Sequence, residues 1–408
     1  MTAPISTISA LEAMEVHEAI AYLWTTAIRA NLPVACWQLP HQSEKHLIVD
    51  FTGGETIERP EVEVLPKGFL VGPFLNESCP NFFIQAGLHY KTSEGSFQEN
   101  FDAERFGTKA YANAQRFYQL LEEHIQQNTS EEVPYFSTNK SCEGVDKECF
   151  ESMVEEGVRQ ICEKHFHKVV LSRMKTVKLK PGFNLLQTYW QIAEAYPRAF
   201  VSAISVPEYG TWVGATPELL ISVENEEIFR TVSLAGTQSR DLFPSLSDVS
   251  WKQKEIEEQA LVCRYIISCF KKIRLREYDE VGPRTVEAGH LVHLKSDYTV
   301  NMKDVNFPQL GSVMLELLHP TSAVCGMPKP EALKFIVAHE KYERSLYSGF
   351  LGPVNIENNT RIFVNLRCMQ LLEGEALLYA GAGITFDSDP AKEWKETELK
   401  MNIMGKFL

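Results

Sequence analysis

The 408-residue sequence contains no apolar run long enough to span a bilayer, which excludes a helical membrane protein. It has no internal repeat and no low-complexity tract, so solenoid and disordered classes are set aside. Its nine cysteines are odd in number and scattered (36, 79, 142, 149, 162, 263, 269, 325 and 368), with no CxxC pair. That pattern predicts reduced thiols and not a disulfide frame. Positive charge is also scarce: 40 Lys and Arg against 54 Asp and Glu give a formal charge of −14. No basic stripe interleaves with aromatics, so nucleic acid is not an expected partner. The same sign disfavours an anionic substrate unless basic groups are concentrated locally. The first residues carry acids early and lack a basic stretch followed by an apolar one, which predicts no signal peptide, no membrane association and a cytoplasmic location.

What is present is an ordinary globular composition, 44% apolar and 23% charged, long enough for one large or several smaller domains. A polar stretch at 122–140 interrupts the apolar periodicity, and a boundary placed there divides an N-terminal subdomain (1–140) that completes the fold from a catalytic region (141–408). Before it, a helical pattern near 11–30 precedes strand-like segments VACWQL, HLIVDF and GFLVGPF. Beyond it, KVVLSRMKTVKL, AFVSAISV, TWVGAT, LLISV, RIFVNLRCMQL and ALLYAGAGITF read as strands. SWKQKEIEEQALVCRYIISCFKKI and DPAKEWKETELKMNIM read as helices. Connections too short for helical crossovers predict an α+β fold with antiparallel sheets.

Both of those helices present two carboxylates three residues apart: Glu255 with Glu258, and Glu393 with Glu396. Asp389 is the expected N-cap of the second, with Pro390 at its first position. Magnesium takes oxygen ligands, usually one or two carboxylates plus an anionic substrate, so one Glu from each helix suffices. By spacing alone, however, these are solvated helix faces with ordinary Glu/Lys pairs.

The surrounding segments change that balance. KVVLSR, GATPELL, TVSLAGT, EIEEQALV, LVHL, LHPTSAVCG, ERSLYSGFLG, FVNLRC and YAGAGITFDSDPAKEWKETELK, in this order over 168–400, resemble the chorismate-utilising family. That family includes isochorismate, salicylate, anthranilate and aminodeoxychorismate synthases. The resemblance implies a large fold of two antiparallel sheets flanked by helices around the active site, with Mg²⁺ as cofactor. It makes Glu258 and Glu396 direct metal ligands, with Glu255 and Glu393 acting nearby or through water. Where the family usually has His after the first ligand, this chain has Gln259.

The branches differ in the nucleophile that attacks the chorismate ring. Lys168 resembles the general base of the hydrolytic members, where the anthranilate branch usually has Gln. Ala235 stands where the aminodeoxychorismate branch often has a nucleophilic Lys, and alanine forms no adduct. Glu218 resembles the general acid that protonates the departing hydroxyl, a role that requires a raised pKa. Without the family, Lys168 is a surface lysine leading a strand and Glu218 a helix-start residue.

Arg367 suits bidentate contact with a carboxylate, and the resemblance assigns it the enolpyruvyl carboxylate. Lys400 is a second contact near the ring carboxylate, with an i,i+4 pair to Glu396 as the competing reading. Thr237 and His293 resemble cavity-lining residues, and Gly381 allows close approach of backbone to an anion. His165 and His167 read as surface histidines. His290 and His293 lack the third ligand of a zinc site. Together these imply isochorismate formation, by water addition at C2 with loss of the C4 hydroxyl, by a monomer with no amidotransferase partner. Menaquinone supply is the expected use, and catechol siderophore supply the alternative. Salicylate synthase, anthranilate formation and a catalytically silent chorismate-binding subunit remain open.

Overall fold

The computed structural model describes residues 10–77, 79–93, 96–99, 103–127, 133–138, 144–240, 243–288 and 291–408. In chain order, α1 (Val16–Arg29) leads to β1 (Val34–Gln38), β2 (Lys45–Val49), β3 (Glu55–Ile57), β4 (Gly68–Gly72), β5 (Asn81–Gln85), β6 (Leu88–Lys91) and β7 (Ser96–Glu99). Helices α2 (Ala103–Gln127) and α3 (Lys147–Cys162) precede β8 (Lys168–Lys178), α4 (Leu185–Ala195), β9 (Phe200–Val206), β10 (Gly210–Thr216), β11 (Leu219–Glu224) and β12 (Ile228–Ser239). Then come α5 (Gln253–Lys272), β13 (Asp279–Ala288), β14 (Leu291–Asn301), α6 (Leu310–Leu318), β15 (Gly326–Met327) and α7 (Lys329–His339). The chain closes with β16 (Phe350–Val354), β17 (Asn359–Val364), β18 (Cys368–Leu372), β19 (Glu375–Ile384) and α8 (Pro390–Gly405).

These strands form two antiparallel sheets in an α+β fold. One runs β15-β8-β19-β18-β10-β9-β1-β2-β6-β7, the other β13-β14-β12-β11-β17-β16-β4-β5-β3. Strands from before and after residue 140 lie in both sheets. A shared apolar layer built from Trp37, Phe69, Phe200, Trp212, Phe363 and Tyr379 fills the space between them. Phe200 and Phe363, one from each sheet, stack with ring centroids 4.2 Å apart. Burial on both faces explains why these strands read as near-continuous apolar runs. Among the described residues, no helix is long and apolar enough to cross a membrane.

One segment departs from its sequence reading. RIFVNLRCMQL is continuous in apolar pattern and predicts a single strand, yet β17 ends at Val364 in one sheet and β18 begins at Cys368 in the other. Arg367 sits in the crossover at φ 47°, a left-handed conformation that breaks strand geometry. Asn365 anchors the turn by donating from Nδ2 to the Leu346 carbonyl at 2.9 Å. The chain thus changes sheets at Arg367.

Candidate active site

Two helices bring the acidic pairs to the cleft. In α5 the buried positions Ile266, Cys269 and Phe270 pack on the second sheet, leaving the first turns free to project glutamates. In α8 the expected cap is present: Asp389 Oδ1 accepts from the Lys392 N–H at 2.9 Å, and Pro390 opens the helix. Thr397, Met401 and Met404 bury the opposite stripe.

Lys168 opens β8, and its amine donates to Glu258 Oε1 at 3.1 Å, joining the strand to α5 across 90 positions of sequence. Gly383 on the paired strand β19 makes room for it, since a Cβ there would stand 2.9 Å from Lys168 Cε. Burial alone would raise the Glu258 pKa, but the Lys168 charge and hydrogen bond, a Gly236 N–H bond and Lys400 together hold it below the ordinary value. Lys400 pairs with Glu396 at 2.5 Å and also donates to the Gly381 carbonyl at 2.8 Å. Burial, opposed by Glu396, lowers the Lys400 pKa. The i,i+4 pair of Lys400 with Glu396 therefore coexists with a bond to the neighbouring strand β19. Since Lys400 also acts electrostatically on Glu258 and Glu218, the two helices converge on one region.

Glu218 lies just before β11, where its carbonyl accepts from the Val364 N–H at 2.9 Å. Burial pushes its carboxyl from the ordinary 4.5 up to about 7, although Arg367, Lys168 and Lys400 all pull it down. Desolvation wins because the charges lie across a cleft while protein surrounds the carboxyl. Arg367 has its pKa lowered chiefly by burial, and Tyr347, Glu218 and Glu396 act on it in the opposite sense. An acid held protonated near neutrality thus shares a cleft with three cationic side chains.

His293 in β14 turns Nδ1 toward the Gly236 carbonyl at 3.1 Å. A carbonyl only accepts, so Nδ1 carries the hydrogen and Nε2 is the acceptor nitrogen of the neutral ring. Burial lowers its pKa and favours that neutral form. Gly236 itself, at φ 67° in a bulge between Ala235 and Thr237, bonds Glu258 through N–H and His293 through C=O. A Cβ there would approach Glu255 Cβ to 3.1 Å. Glu255 accepts from the Lys252 N–H at 2.8 Å, an N-terminal capping contact that coexists with its place beside the cleft.

Gln259 does not face the cleft. It is 2% exposed and its amide nitrogen reaches the Ser233 carbonyl at 3.4 Å and Ser296 Oγ at 3.3 Å, tying α5 to the sheet. The side chain of Thr237, and all of His290, lie outside the described residues. His165 and His167 are exposed as expected.

Three features escaped sequence reading. Tyr347 leans over Gly381, whose missing Cβ would stand 3.0 Å from its hydroxyl, and lies within electrostatic reach of Arg367. Ser172, paired with Gly381, donates from Oγ to Glu340 Oε1 at 2.9 Å and meets Tyr342 Oη at 2.6 Å. Glu340 and Arg344, each 2% exposed, form a bidentate ion pair whose guanidinium also donates to the Val324 and Val170 carbonyls. ERSLYSGFLG holds Arg344 and Tyr347 and KVVLSR holds Ser172, whereas Glu340 and Tyr342 lie in none of the motif segments.

Two carboxylates from separate helices, each facing a lysine, offer hard oxygen donors suited to magnesium. Among the described residues, no three His, Cys, Asp or Glu side chains stand close enough to form a metal cluster by themselves. A cation here would therefore draw its remaining ligands from water or substrate, as magnesium commonly does.

A family model described as chorismate binding enzyme matches residues 84–408. Isochorismate synthase EntC of Escherichia coli K12 is 27% identical over 260 residues, covering 62% of this chain and 66% of EntC. The chain thus aligns with a little under two thirds of that relative's length. The salicylate biosynthesis isochorismate synthase of Pseudomonas aeruginosa is 30% identical over 277 residues, covering 64% of this chain and 54% of that protein. The menaquinone-specific isochorismate synthase MenF of Escherichia coli has the same fold, with TM-score 0.72, 21% identity and coverage of 97% of this chain and 92% of the other.

Proposed function

The chain belongs to the chorismate-binding enzyme family, and on that premise we propose that it is an isochorismate synthase, an isomerase that adds water at C2 of chorismate and expels the C4 hydroxyl. The observation that carries this reading is the pairing of Lys168 with Glu218. An amine positioned by Glu258 shares the cleft with a carboxyl whose pKa is about 7. Lys168 takes a proton from the attacking water while Glu218 gives one to the leaving hydroxyl, so the C2–O bond forms as the C4–O bond breaks and water departs. Lys168 takes that proton only when its Nζ is free of the bond to Glu258 Oε1. Binding of the reactants must therefore loosen that pair. Ala235, 9% exposed in β12, offers no amine for covalent capture of the ring.

Arg367 grips the enolpyruvyl carboxylate and Lys400 lies beside the ring carboxylate. His293 and Gly381 are assigned to the cavity wall, and the family resemblance adds Thr237 to the substrate contacts. Glu258 and Glu396 would hold magnesium directly, with Glu255 and Glu393 nearby or through water. When bound, the ion supplies charge compensation and orientation for the ring carboxylate. Menaquinone supply is the proposed use, as the more general demand for isochorismate.

Purified protein incubated with chorismate and Mg²⁺ should yield isochorismate without pyruvate, and a chelator should stop the reaction. Stoichiometric pyruvate without added lyase would instead identify a salicylate synthase. Fluorescent anthranilate on addition of ammonia would identify the amine-transferring branch. No turnover under full metal loading would identify a silent binding subunit.

A further inference from the structure

The loop after α6 carries a run of polar atoms that end inside the protein. His319 Nδ1, Thr321 Oγ1 and Ser322 Oγ are all buried and make no hydrogen bond within the protein. His319 uses its other nitrogen, Nε2, on the Pro73 carbonyl at 2.9 Å. Buried hydroxyls in folded proteins almost always find a partner, and where the protein supplies none an ordered water does.

Thr321 is placed for such a partner. It lines a cavity of about 20 Å³ between α5, the end of α6 and strands β11 and β12, and Glu218 forms part of the same wall. Thr231 and Tyr265 are the other polar lining groups, and the remainder is leucine, valine, isoleucine and alanine. Tyr265 directs its hydroxyl away, to the Leu317 carbonyl at 2.9 Å and the Leu318 carbonyl at 3.1 Å. Thr231 donates to the Leu220 carbonyl at 2.8 Å, which leaves its lone pairs able to accept. A cavity needs roughly 10–15 Å³ and two to four polar partners to hold a water molecule. The volume meets the first condition, and Thr321, Thr231 and Glu218 are the candidate partners for the second.

We propose that this cavity binds one structural water between the Thr321 hydroxyl, the Thr231 hydroxyl and Glu218, and that Thr321 is a positioning residue for the acid. Through that water Thr321 restrains the Glu218 carboxyl and fixes which of its oxygens carries the proton. A carboxylic acid must present O–H, not C=O, to the leaving hydroxyl. One fixed partner on the far side removes the ambiguity. The inference rests on the reading of Glu218 as general acid.

The test uses Thr321→Val, which keeps the shape and removes the hydroxyl, and Thr321→Ser, which keeps the hydroxyl. Crystal structures should show one water in the cavity of the wild type and T321S and none in T321V. T321V should lose about five- to tenfold in kcat with KM changed by less than about twofold, as expected for one lost hydrogen bond acting on the chemical step. T321S should retain most of the rate. The alkaline limb of the kcat profile should move up in T321V, because the Glu218 anion loses a polar neighbour. A role confined to packing would lower stability and leave that limb in place. A dry cavity in the wild type, or T321V with wild-type kcat and an unmoved limb, would overturn the proposal. If the wild type makes no isochorismate, the functional reading fails, while the crystal structures still decide whether the water is bound.

Discussion

Glu218→Gln should make the protein more stable at alkaline pH while abolishing most of its activity. The folded-state carboxyl titrates at about 7 instead of 4.5. Between those values the folded chain binds more protons at this site than the unfolded chain, so stability falls as pH rises through the window. At about 1.4 kcal/mol per unit, the full difference is about 3 kcal/mol above pH 7, and water in the open cleft reduces it toward about 2 kcal/mol. Glutamine has no proton to lose and escapes the penalty. Urea denaturation of wild type and E218Q at pH 4 and pH 8.5 should therefore show the two curves close together at the lower pH and separated by about 2–3 kcal/mol at the higher, with E218Q the more stable. Chorismate turnover should fall by about a hundredfold or more, the usual loss on removing a general acid. Parallel pH dependence in the two proteins would refute the reasoning, because it would mean that burial does not hold Glu218 protonated.

Four further outcomes follow from the same geometry. Arg344→Met should cost about 3–5 kcal/mol in urea denaturation, since it strands the buried Glu340 carboxylate, and adding Glu340→Leu should recover part of that loss. Burial and the neighbouring His46 lower the His89 pKa from 6.5 to about 4, so the unfolded chain binds more protons in that window and stability should fall as pH drops through it. His89→Gln should flatten this acid limb in thermal melts recorded from pH 7 to pH 4. Gly383→Ala, which would place a Cβ 2.9 Å from Lys168 Cε, should lower kcat/KM by about tenfold or more while changing denaturation midpoints little. Calorimetry should find magnesium bound about tenfold or more tightly when chorismate is present, a coupling of at least about 1.4 kcal/mol.

Much of the architecture is legible in local chemistry. The cap of α8, Asp389 followed by Pro390, and the two Glu pairs follow from helix spacing, and the short connections predict antiparallel sheets. Resemblance adds the identities of Lys168, Glu218 and Arg367, which position alone would assign to surface or helix-start roles. What stayed hidden depends on backbone conformation or distant partners. The turn at Arg367 lies within an unbroken apolar pattern, and only its left-handed φ separates two strands that belong to different sheets. Gly236 reads as one glycine in LAGT, yet its bulge presents N–H and C=O to residues from a helix and another strand. Gln259 sits one residue after Glu258 and points the other way, into the sheet, because adjacent helical positions differ by about 100°. The Lys168–Glu258 pair spans 90 positions and has no periodic signature.

The chain's net charge of −14 poses the problem that any anionic substrate must overcome, and the cleft resolves it only in part. Lys168, Lys400 and Arg367 gather there, but Glu255, Glu258, Glu393 and Glu396 surround them, one more carboxylate than there are cations. Glu218 spares the site most of a fifth negative charge below about pH 7, because burial raises its pKa to that value. Chorismate brings two carboxylates of its own, which would leave the occupied cleft strongly anionic in a partly desolvated space where repulsion is poorly screened. A divalent cation at Glu258 and Glu396 removes most of that excess, and the substrate in turn supplies oxygens that two lysine-paired glutamates do not. Each ligand thus lowers the cost of binding the other, which is why the proposed magnesium and chorismate should be thermodynamically coupled. Under the proposed mechanism the ion pairs seen here are the counterpart of that coupling: Lys168 and Lys400 would hold the glutamates in place until a cation takes their role, which would free Lys168 from Glu258 for its part as base.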